Sequence, residues 1–396
     1  MRTKGPPVPE VLVIGGGPVG LFMGALLLQS GVSVRILEQR TCREPHSRAI
    51  GIHPPALDAL QQAGVAQELV ARGIPIRSGI AVAGGVRLAA MNFAGVSGSF
   101  PFVLALPQAT TAAVLEGRVR ELDPGALLRG VRLTGLHDDG GRVTVDACSP
   151  AGPVRYSSRL VIAADGVHSD VRALQGTAVW AKDYPDSYLM GDFADSTGLG
   201  QDAALFLESG GIVESFPLPG KLRRWVVRLD NPRSGAAELP GAPAIAGSEA
   251  RWLAARIRER TGIDVDPGSN SMLSRFGVRC RLVRNMVAGR TVLIGDAAHE
   301  VSPIGGQGMN LGWLDAVALA PIVGASLNGA AVGAELRAFQ RSRMRAAVTA
   351  ARQSEINMAL GRPLAGRLLA ARSRTVAAAG GIPAVNRLVA RRFTMQ

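Results

Sequence analysis

Val11-Leu-Val-Ile14-Gly15-Gly-Gly17-Pro18-Val19-Gly20 is the stretch that decides the fold. An unbroken apolar run of this length suits a strand buried on both faces, as in a parallel sheet. The glycines follow at the spacing Gly15-x-Gly17-x-x-Gly20, and residues 21–29 then read as an apolar helix ended by Ser30-Gly31. Residues 32–37 read as the next strand, closed by Glu38 and Gln39, which completes a βαβ unit. An isolated glycine triplet is often only a loop. Here strand, helix and acid occur in order, and each part has a physical task. Gly15 permits the tight turn, Gly17 lets the backbone approach a pyrophosphate, and Gly20 lets the helix pack on the sheet. Pro18 and Val19 open a helix whose N-terminus favours phosphate charge. Glu38 is placed to accept hydrogen bonds from an adenosine ribose. An acid there, rather than Arg, favours an unphosphorylated ribose and so FAD or NAD over NADP.

Working outward, residues 54–72 read as one helix from the spacing of Leu57, Leu60 and Leu69. Alternating runs at 79–82, 86–91 and 100–106 suit strands with one solvated face. Residues 108–122 read as a helix, and 131–136, 142–147 and 155–163 as strands, the last running into Asp165-Gly166. Further strands are expected at 188–193, 204–207, 212–216 and 224–229, then a helix at 248–261 and helix from Asn310 onward. The α/β pieces thus recur, at 1–75, 101–175 and 278–335, around two antiparallel stretches, 76–100 and 176–277, that fold together. Residues 336–396 form a separate basic helical segment.

A second buried strand, 291–294, is followed by Gly295-Asp296-Ala-Ala-His299 and then Pro303-Ile-Gly305-Gly306-Gln-Gly308-Met309-Asn310. A strand that delivers Asp296 to a loop, with a glycine-rich turn opening a helix behind it, makes a second anion-oriented site whose amides face a negatively charged heterocycle. Asp is also well suited to cap a helix, so Asp296 alone decides nothing.

With these motifs in order, the sequence resembles the class A flavin-dependent monooxygenases of the para-hydroxybenzoate hydroxylase fold, from about Val11 to Asp315. The resemblance implies a Rossmann-like FAD-binding domain interleaved with an antiparallel-sheet substrate domain, plus C-terminal helices. Asp165-Gly166-Val-His-Ser169-Asp-Val-Arg172 is similar to the family's DG motif, which implies contact with FAD and the nicotinamide nucleotide. Read by residue type, Asp165 and Ser169 serve equally as caps of a helix running through Arg172. Gly295-Asp296 with Pro303, Gly306, Gly308, Met309 and Asn310 looks like the GD motif and flavin-ring loop. Leu106-Pro-Gln108 with Glu116 and Arg118 resembles the helix over the ribityl and pyrophosphate portions. His46-Ser-Arg48-Ala-Ile-Gly51 is similar to hydroxylases of polycyclic aromatic polyketides, although Arg48 also reads as a surface arginine. The resemblance places Arg48, Pro303, Gly305 and Gly306 nearest the chemistry. Larger polyketide hydroxylases carry a thioredoxin-like domain where this sequence has its basic segment.

Composition narrows the rest. Hydrophobic residues make up 47% and charged residues 19%, a globular balance. Aromatics reach only 4%, which disfavours base-stacking nucleic-acid binding. Of the net +13, the stretch 335–396 supplies +10, with twelve Arg against two Glu. That face reads first as solvated helices, and otherwise as a surface for acidic partners such as anionic lipid, an acidic carrier protein or nucleic acid. The cysteines (Cys42, Cys148, Cys280) show no disulfide framework, and the N-terminus shows no signal-peptide core, so a cytoplasmic protein is expected. Asp315 and Pro321 interrupt the apolar stretch 314–332, which argues against a membrane span. The five His are scattered, so no metal site is expected. No GxSxG elbow, halogenase Trp-x-Trp motif or second dinucleotide fingerprint appears.

The resemblance therefore implies an FAD enzyme that uses NADPH or NADH and O₂, through a flavin C4a-hydroperoxide, to hydroxylate a polycyclic phenolic or polyketide-type secondary metabolite. A flavin-dependent dehydrogenase or reductase, or a Baeyer–Villiger oxygenase of the same fold, is the alternative, with a monomer or homodimer as the assembly. Tyr184 and Tyr188 lie where the substrate sheet begins, and are weighed as packing residues against phenol contact.

Overall fold

The computed structural model describes residues 8–43, 48–94, 98–229 and 243–396. Val11–Ile14 is buried along its whole length and pairs in parallel with Leu160–Ala163 on one side and Val34–Glu38 on the other. The sheet extends to six strands, with Leu127–Arg129 at one edge and Thr291–Leu293 followed by Val287–Ala288 at the other. A continuous apolar run has become a central strand because both its faces are packed in the main core, which takes in Leu21, Phe22 and Met23 of the helix that follows it and Leu133, Val143 and Val145 from strands further along the chain.

Among the described residues there are ten α-helices: α1 Pro18–Gln29, α2 Pro54–Gln62, α3 Ala66–Arg72, α4 Gln108–Leu122, α5 Asp170–Leu174, α6 Pro243–Thr261, α7 Gly308–Leu327, α8 Gly333–Leu360, α9 Gly366–Gly381 and α10 Pro383–Phe393. The single helix expected over 54–72 is two, because Gly64 takes φ +76°, a conformation that ends α2. The strand expected over 155–163 is also two. Gly152–Ser158 joins Val143–Ser149 and Arg132–Asp138 in a separate antiparallel sheet, and only Leu160–Ala163 enters the parallel one.

The larger sheet has eight strands, in the order His299–Glu300, Met272–Val283, Val179–Ala194, Leu222–Arg228, Gly211–Leu218, Ala203–Glu208, Ser78–Ala83 and Val86–Asn92. The two antiparallel stretches of the sequence thus share one sheet, joined by Ala203–Glu208 and Ser78–Ala83 running parallel. Met272–Val283 was not anticipated. Its buried positions Phe276, Val278 and Cys280 alternate with Arg275, Arg279 and Arg281, so the apolar half of the signal is interleaved with charge. The strand also runs through the 277/278 boundary drawn from sequence.

Helix α6 covers the back of this sheet, where Leu253 and Ile257 pack with Phe193, Val213, Trp225 and Val227. The front faces the parallel sheet and its loops. Helix α7 is long and apolar enough by composition to span a membrane, yet Trp313, Ala316, Leu319 and Val323 lie in the main core beside α1. A Cβ at Gly312 would sit 2.5 Å from Val19, which shows how closely α7 approaches α1.

The basic segment is not a loose appendage. Helix α9 lies on the edge strand Val86–Asn92 so closely that a Cβ at Gly380 would meet the Ala89 Cβ at 2.4 Å. In α10, Asn386 Nδ2 donates to the Ala90 carbonyl at 2.6 Å. Arg372 is buried and donates to the Leu360, Arg362, Leu207 and Glu208 carbonyls. Three arginines of the segment (Arg343, Arg362, Arg372) are thus internal cross-links. Asn386 likewise engages one backbone carbonyl of the sheet's edge strand.

Candidate cofactor and substrate site

One continuous cavity of ≈ 1340 Å³ runs between the head of α1 and the front of the larger sheet. That exceeds the roughly 300–1,000 Å³ typical of single-ligand pockets. At its nucleotide end the three glycines differ in kind. A Cβ on Gly15 (φ +105°) would meet the Ala164 carbonyl oxygen at 2.4 Å, and one on Gly20 would lie 1.9 Å from the Gly15 oxygen. Among the described residues nothing lies within 4 Å of the Cβ position of Gly17, which faces the cavity. No side chain caps α1, so its leading amides are available to an anion.

Glu38 is buried, and both its oxygens are already engaged. Oε2 accepts the Gly16 amide at 2.7 Å and Oε1 the Arg40 amide at 2.8 Å. A carboxylate keeps further lone pairs, so Glu38 both shapes the loop and can still receive hydroxyls. Pro18, Val19, Gln39 and Gln108 line the same end, joined by Arg40, Arg43 and Arg129, which sequence reading did not single out.

Arg118 does not belong here. Its Nε donates to the Ala63 carbonyl at 3.1 Å, and its guanidinium also contacts Glu121 and Gln29. Ten residues of helix separate it from Gln108, roughly 15 Å along the axis and about 80° short of a whole number of turns. Glu116 is likewise spent on Arg43, Arg120 and Arg129.

In the DG segment both capping roles are realised. Ser169 Oγ accepts the Arg172 amide at 3.0 Å and Asp165 Oδ2 the Val171 amide at 3.1 Å. Asp165 Oδ1 remains buried with no partner among the described residues, and burial raises its pKa. Asp165 and Gly166 line the cavity, while Arg172 turns away from it. The Arg172 guanidinium donates to the carbonyls of Val167 (2.6 Å), Ala297 (2.9 Å) and Asp296 (3.4 Å), stitching the DG turn to the GD turn.

Asp296 lines the cavity and caps no helix; α7 starts behind Gln307 without a side-chain cap. Burial pushes the Asp296 carboxyl up to about 6. Gly295 has φ +60°, Gly305 +99° and Gly306 +67°, so the loop around the cavity depends on left-handed glycines. Pro303, Gly305, Gly306, Gly308 and Met309 line it, but the Asn310 side chain does not. Asn310 Oδ1 accepts the His53 amide at 2.8 Å, and Nδ2 donates to the Gly306 (2.7 Å) and Gly51 (3.0 Å) carbonyls. Asn310 therefore braces the loop, leaving only its main chain for a ligand.

His53 was missed by sequence reasoning. It lines the cavity, and its Nε2 lies 3.2 Å from the Gly305 carbonyl. A carbonyl can only accept, so Nε2 carries the proton and Nδ1 is left without a partner. Burial outweighs the Gly305 and Gly306 contacts and pulls the pKa down to about 4, keeping the ring neutral. Its only sequence signal is its place ahead of Pro54-Pro55 at a helix start.

On the sheet side, Arg48 lines the cavity, and its Nε donates to Ser274 Oγ at 3.0 Å; His46 and Ser47 lie outside the described residues. Neither tyrosine of the sheet reaches the cavity lining. Tyr184 donates to Glu355 Oε1 at 2.6 Å, and Tyr188 stacks on Phe276 at 5.4 Å. The wall is mainly apolar: Ile80, Met91, Leu205, Ile212, Phe216 and Val226 from the sheet, with Val376, Ala379, Val389 and Phe393 from α9 and α10.

Uncapped helix ends and an open Gly17 suit phosphate, and Asp165 Oδ1 and the Asp296 carboxyl call for hydroxyl or N–H donors. A polyhydroxylated dinucleotide such as FAD supplies both, so these residues fit it.

The FAD binding domain family matches residues 9–354. The 6-methylpretetramide 4-monooxygenase of Streptomyces rimosus is 32% identical over 317 residues, covering 79% of this chain and 55% of the relative. Anhydrotetracycline hydroxylase from Streptomyces rimosus superposes with a TM-score of 0.77 at 27% identity, covering 98% of this chain and 76% of that one. p-Nitrophenol 4-monooxygenase from Pseudomonas putida superposes at 0.87 with 23% identity, covering 98% of both, a likeness of fold. The chain spans about half to two thirds of the length of the first curated relatives it matches.

Proposed function

This chain belongs to the FAD-binding domain family, and from that premise we propose that it is a monooxygenase using NADPH or NADH and O₂ to hydroxylate a polycyclic phenol or polyketide-type aromatic compound. The observation that carries the reading is the continuity of the cavity: nucleotide end, glycine loop and apolar sheet wall open into one space. Bound FAD supplies hydride acceptance from the nicotinamide and oxygen activation. Gly15, Gly17, Glu38 and Gln39 would hold its adenosine end, and Asp165, Asp296 and Gln108 its central chain. The amides of Gly305 to Asn310, at the uncapped head of α7, would stabilise negative charge on the ring system. Pro303 would flank the reacting face. The apolar wall would keep water from the reacting atoms and hold a large flat substrate against the loop.

The exposed Arg367, Arg374, Arg387, Arg391 and Arg392 of α9 and α10 support an acidic carrier domain as a partner. Charge reversal there should slow turnover of carrier-bound substrate but not of free substrate. The unpaired cysteines support a cytoplasmic location. The deciding experiment measures NADPH oxidation by the yellow protein, in air and without oxygen, across polycyclic phenols, with product masses. Phenol-stimulated oxidation that adds one oxygen atom only in air is expected. Steady turnover without oxygen would make the protein a reductase.

A further inference from the structure

Glu214 stands in the middle of the cavity-facing side of the larger sheet. The cross-strand row through it runs Leu205, Glu214, Val226, Met190, Ser274. Its same-face neighbours along the strand are Ile212 and Phe216, while Val213 packs on the opposite face under α6. Glu214 is 9% exposed and lines the cavity. Among the described residues it has neither a hydrogen-bond nor an ion-pair partner.

The neighbouring charges are committed elsewhere. Arg224, diagonal to Glu214 on the next strand, binds Asp192 through Nε at 2.7 Å and through its second nitrogen at 2.8 Å. Arg228 binds Asp186 at 3.0 Å. Tyr188, another titratable group nearby, has a buried hydroxyl with no partner among the described residues. The other buried carboxylates of this sheet, Asp186 and Asp192, have arginines. Glu214 alone is set in an apolar wall facing open space, and burial pushes its carboxyl up to about 7. A buried carboxyl without a partner is costly, and a site that keeps one has a use for it.

We propose that Glu214 is the polar anchor for the substrate: its carboxyl accepts a hydrogen bond from a phenolic hydroxyl and so fixes which edge of the ring system turns toward Pro303 and the Gly305–Gly306 loop. This rests on the aromatic-hydroxylase reading above. It makes Glu214 a specificity-determining residue, selecting ring systems with a hydroxyl donor at that position over those without one.

The test is equilibrium binding to the FAD-loaded protein, read from the flavin absorbance change without NADPH. 1-Naphthol, 2-naphthol and 9-phenanthrol are each compared with their own methyl ethers. Wild type should bind the hydroxyl compounds about ten-fold more tightly than the ethers, the value of one satisfied hydrogen bond in a dry site. Glu214→Leu should bring the ratio within about two-fold without weakening the ethers, and Glu214→Gln, which keeps an acceptor oxygen, should recover part of it. FAD content and thermal midpoint establish that each variant is folded. An unchanged hydroxyl preference in Glu214→Leu, or no binding of any hydroxyarene to wild type, overturns the proposal. Because binding is read without turnover, a protein that binds these phenols but does not oxygenate them would sink the monooxygenase reading and leave the anchor standing.

Discussion

Asp315 Oδ2 lies 2.6 Å from His299 Nε2, and the same oxygen accepts the Gly295 amide at 2.9 Å. Its other oxygen takes Arg343 Nε at 2.6 Å, so one carboxylate on α7 ties the GD turn to α8. Burial opposes charge at both members of the pair, but their mutual attraction wins. It holds Asp315 below, and His299 above, their usual ranges.

Asp315→Ala would leave His299 and Arg343 buried without their counter-charge. Breaking such a cluster from one side costs about 3–5 kcal/mol. Loss of that order in urea unfolding is expected, along with reduced FAD retention, because Gly295 and Asp296 lose their support. A variant within about 1 kcal/mol of wild type would show that the cluster does not hold the turn.

Gly17 and Gly20 separate binding from folding. A Cβ at position 17 has nothing within 4 Å among the described residues, and the backbone there (φ −75°, ψ 177°) suits any residue. Gly17→Val should therefore fold with a near-normal thermal midpoint yet purify colourless, because its methyls fill the space where a pyrophosphate would approach. Gly20→Val, whose Cβ would overlap the Gly15 oxygen, should fail to accumulate as soluble protein. Asp296→Ala should lie between them, folded but losing FAD on dialysis. Normal flavin content in Gly17→Val and Asp296→Ala would remove the nucleotide assignment, whereas Arg118→Ala should keep its flavin.

What the sequence showed and what it hid have physical causes. The βαβ unit was legible because Val11–Ile14, the glycines and Glu38 are constrained by local geometry. Glycines at positive φ carry their function in their identity, so the loop from Gly295 to Gly306 was also readable. Arg118 was misplaced because spacing along a helix fixes a face only relative to packing, and α4 turns that face to α1 and α2. His53 and Glu214 were invisible for another reason. Each matters through what surrounds it in space, and those surroundings come from other elements: Gly305 and Asn310 for His53, and the neighbouring strands that carry Val226 and Met190 for Glu214. The basic segment misled in a third way: its charge count drew attention from Gly380, Asn386 and Phe393, which build the cavity wall.

Glu214 also predicts a pH signature that needs no substrate. Its folded pKa, about 7, lies above the ordinary 4.5, so the folded state binds that proton more tightly. The resulting stability is fully present below about pH 4.5 and is lost as pH rises through 7. Glu214→Gln does not titrate, so its stability relative to wild type should grow across that window and level off above it, by up to roughly 3 kcal/mol. His53 and Asp296 titrate in part of the same range, but equally in both proteins, and so cancel in the difference. A difference that stays flat from pH 4.5 to 8 would mean that the carboxyl is solvated in the folded state.

Phe393, at the end of α10, stacks on Phe93 at 5.9 Å and meets the His53 ring edge-on at 5.8 Å. His53 in turn contacts the Gly305 carbonyl, so the final turn of the helical segment closes the cavity directly over the glycine loop. Phe393→Ala removes a half-buried ring, which should cost about 1–2 kcal/mol, less than a fully buried Phe. FAD binding should survive, because none of the nucleotide contacts is touched. Coupling should not. With the wall breached, water reaches the reacting atoms, and more of the NADPH consumed should appear as hydrogen peroxide and less as oxygenated product. Oxygen uptake with and without catalase, set against product yield, measures that ratio; an unchanged ratio would show that α10 supports the fold and does not seal the site.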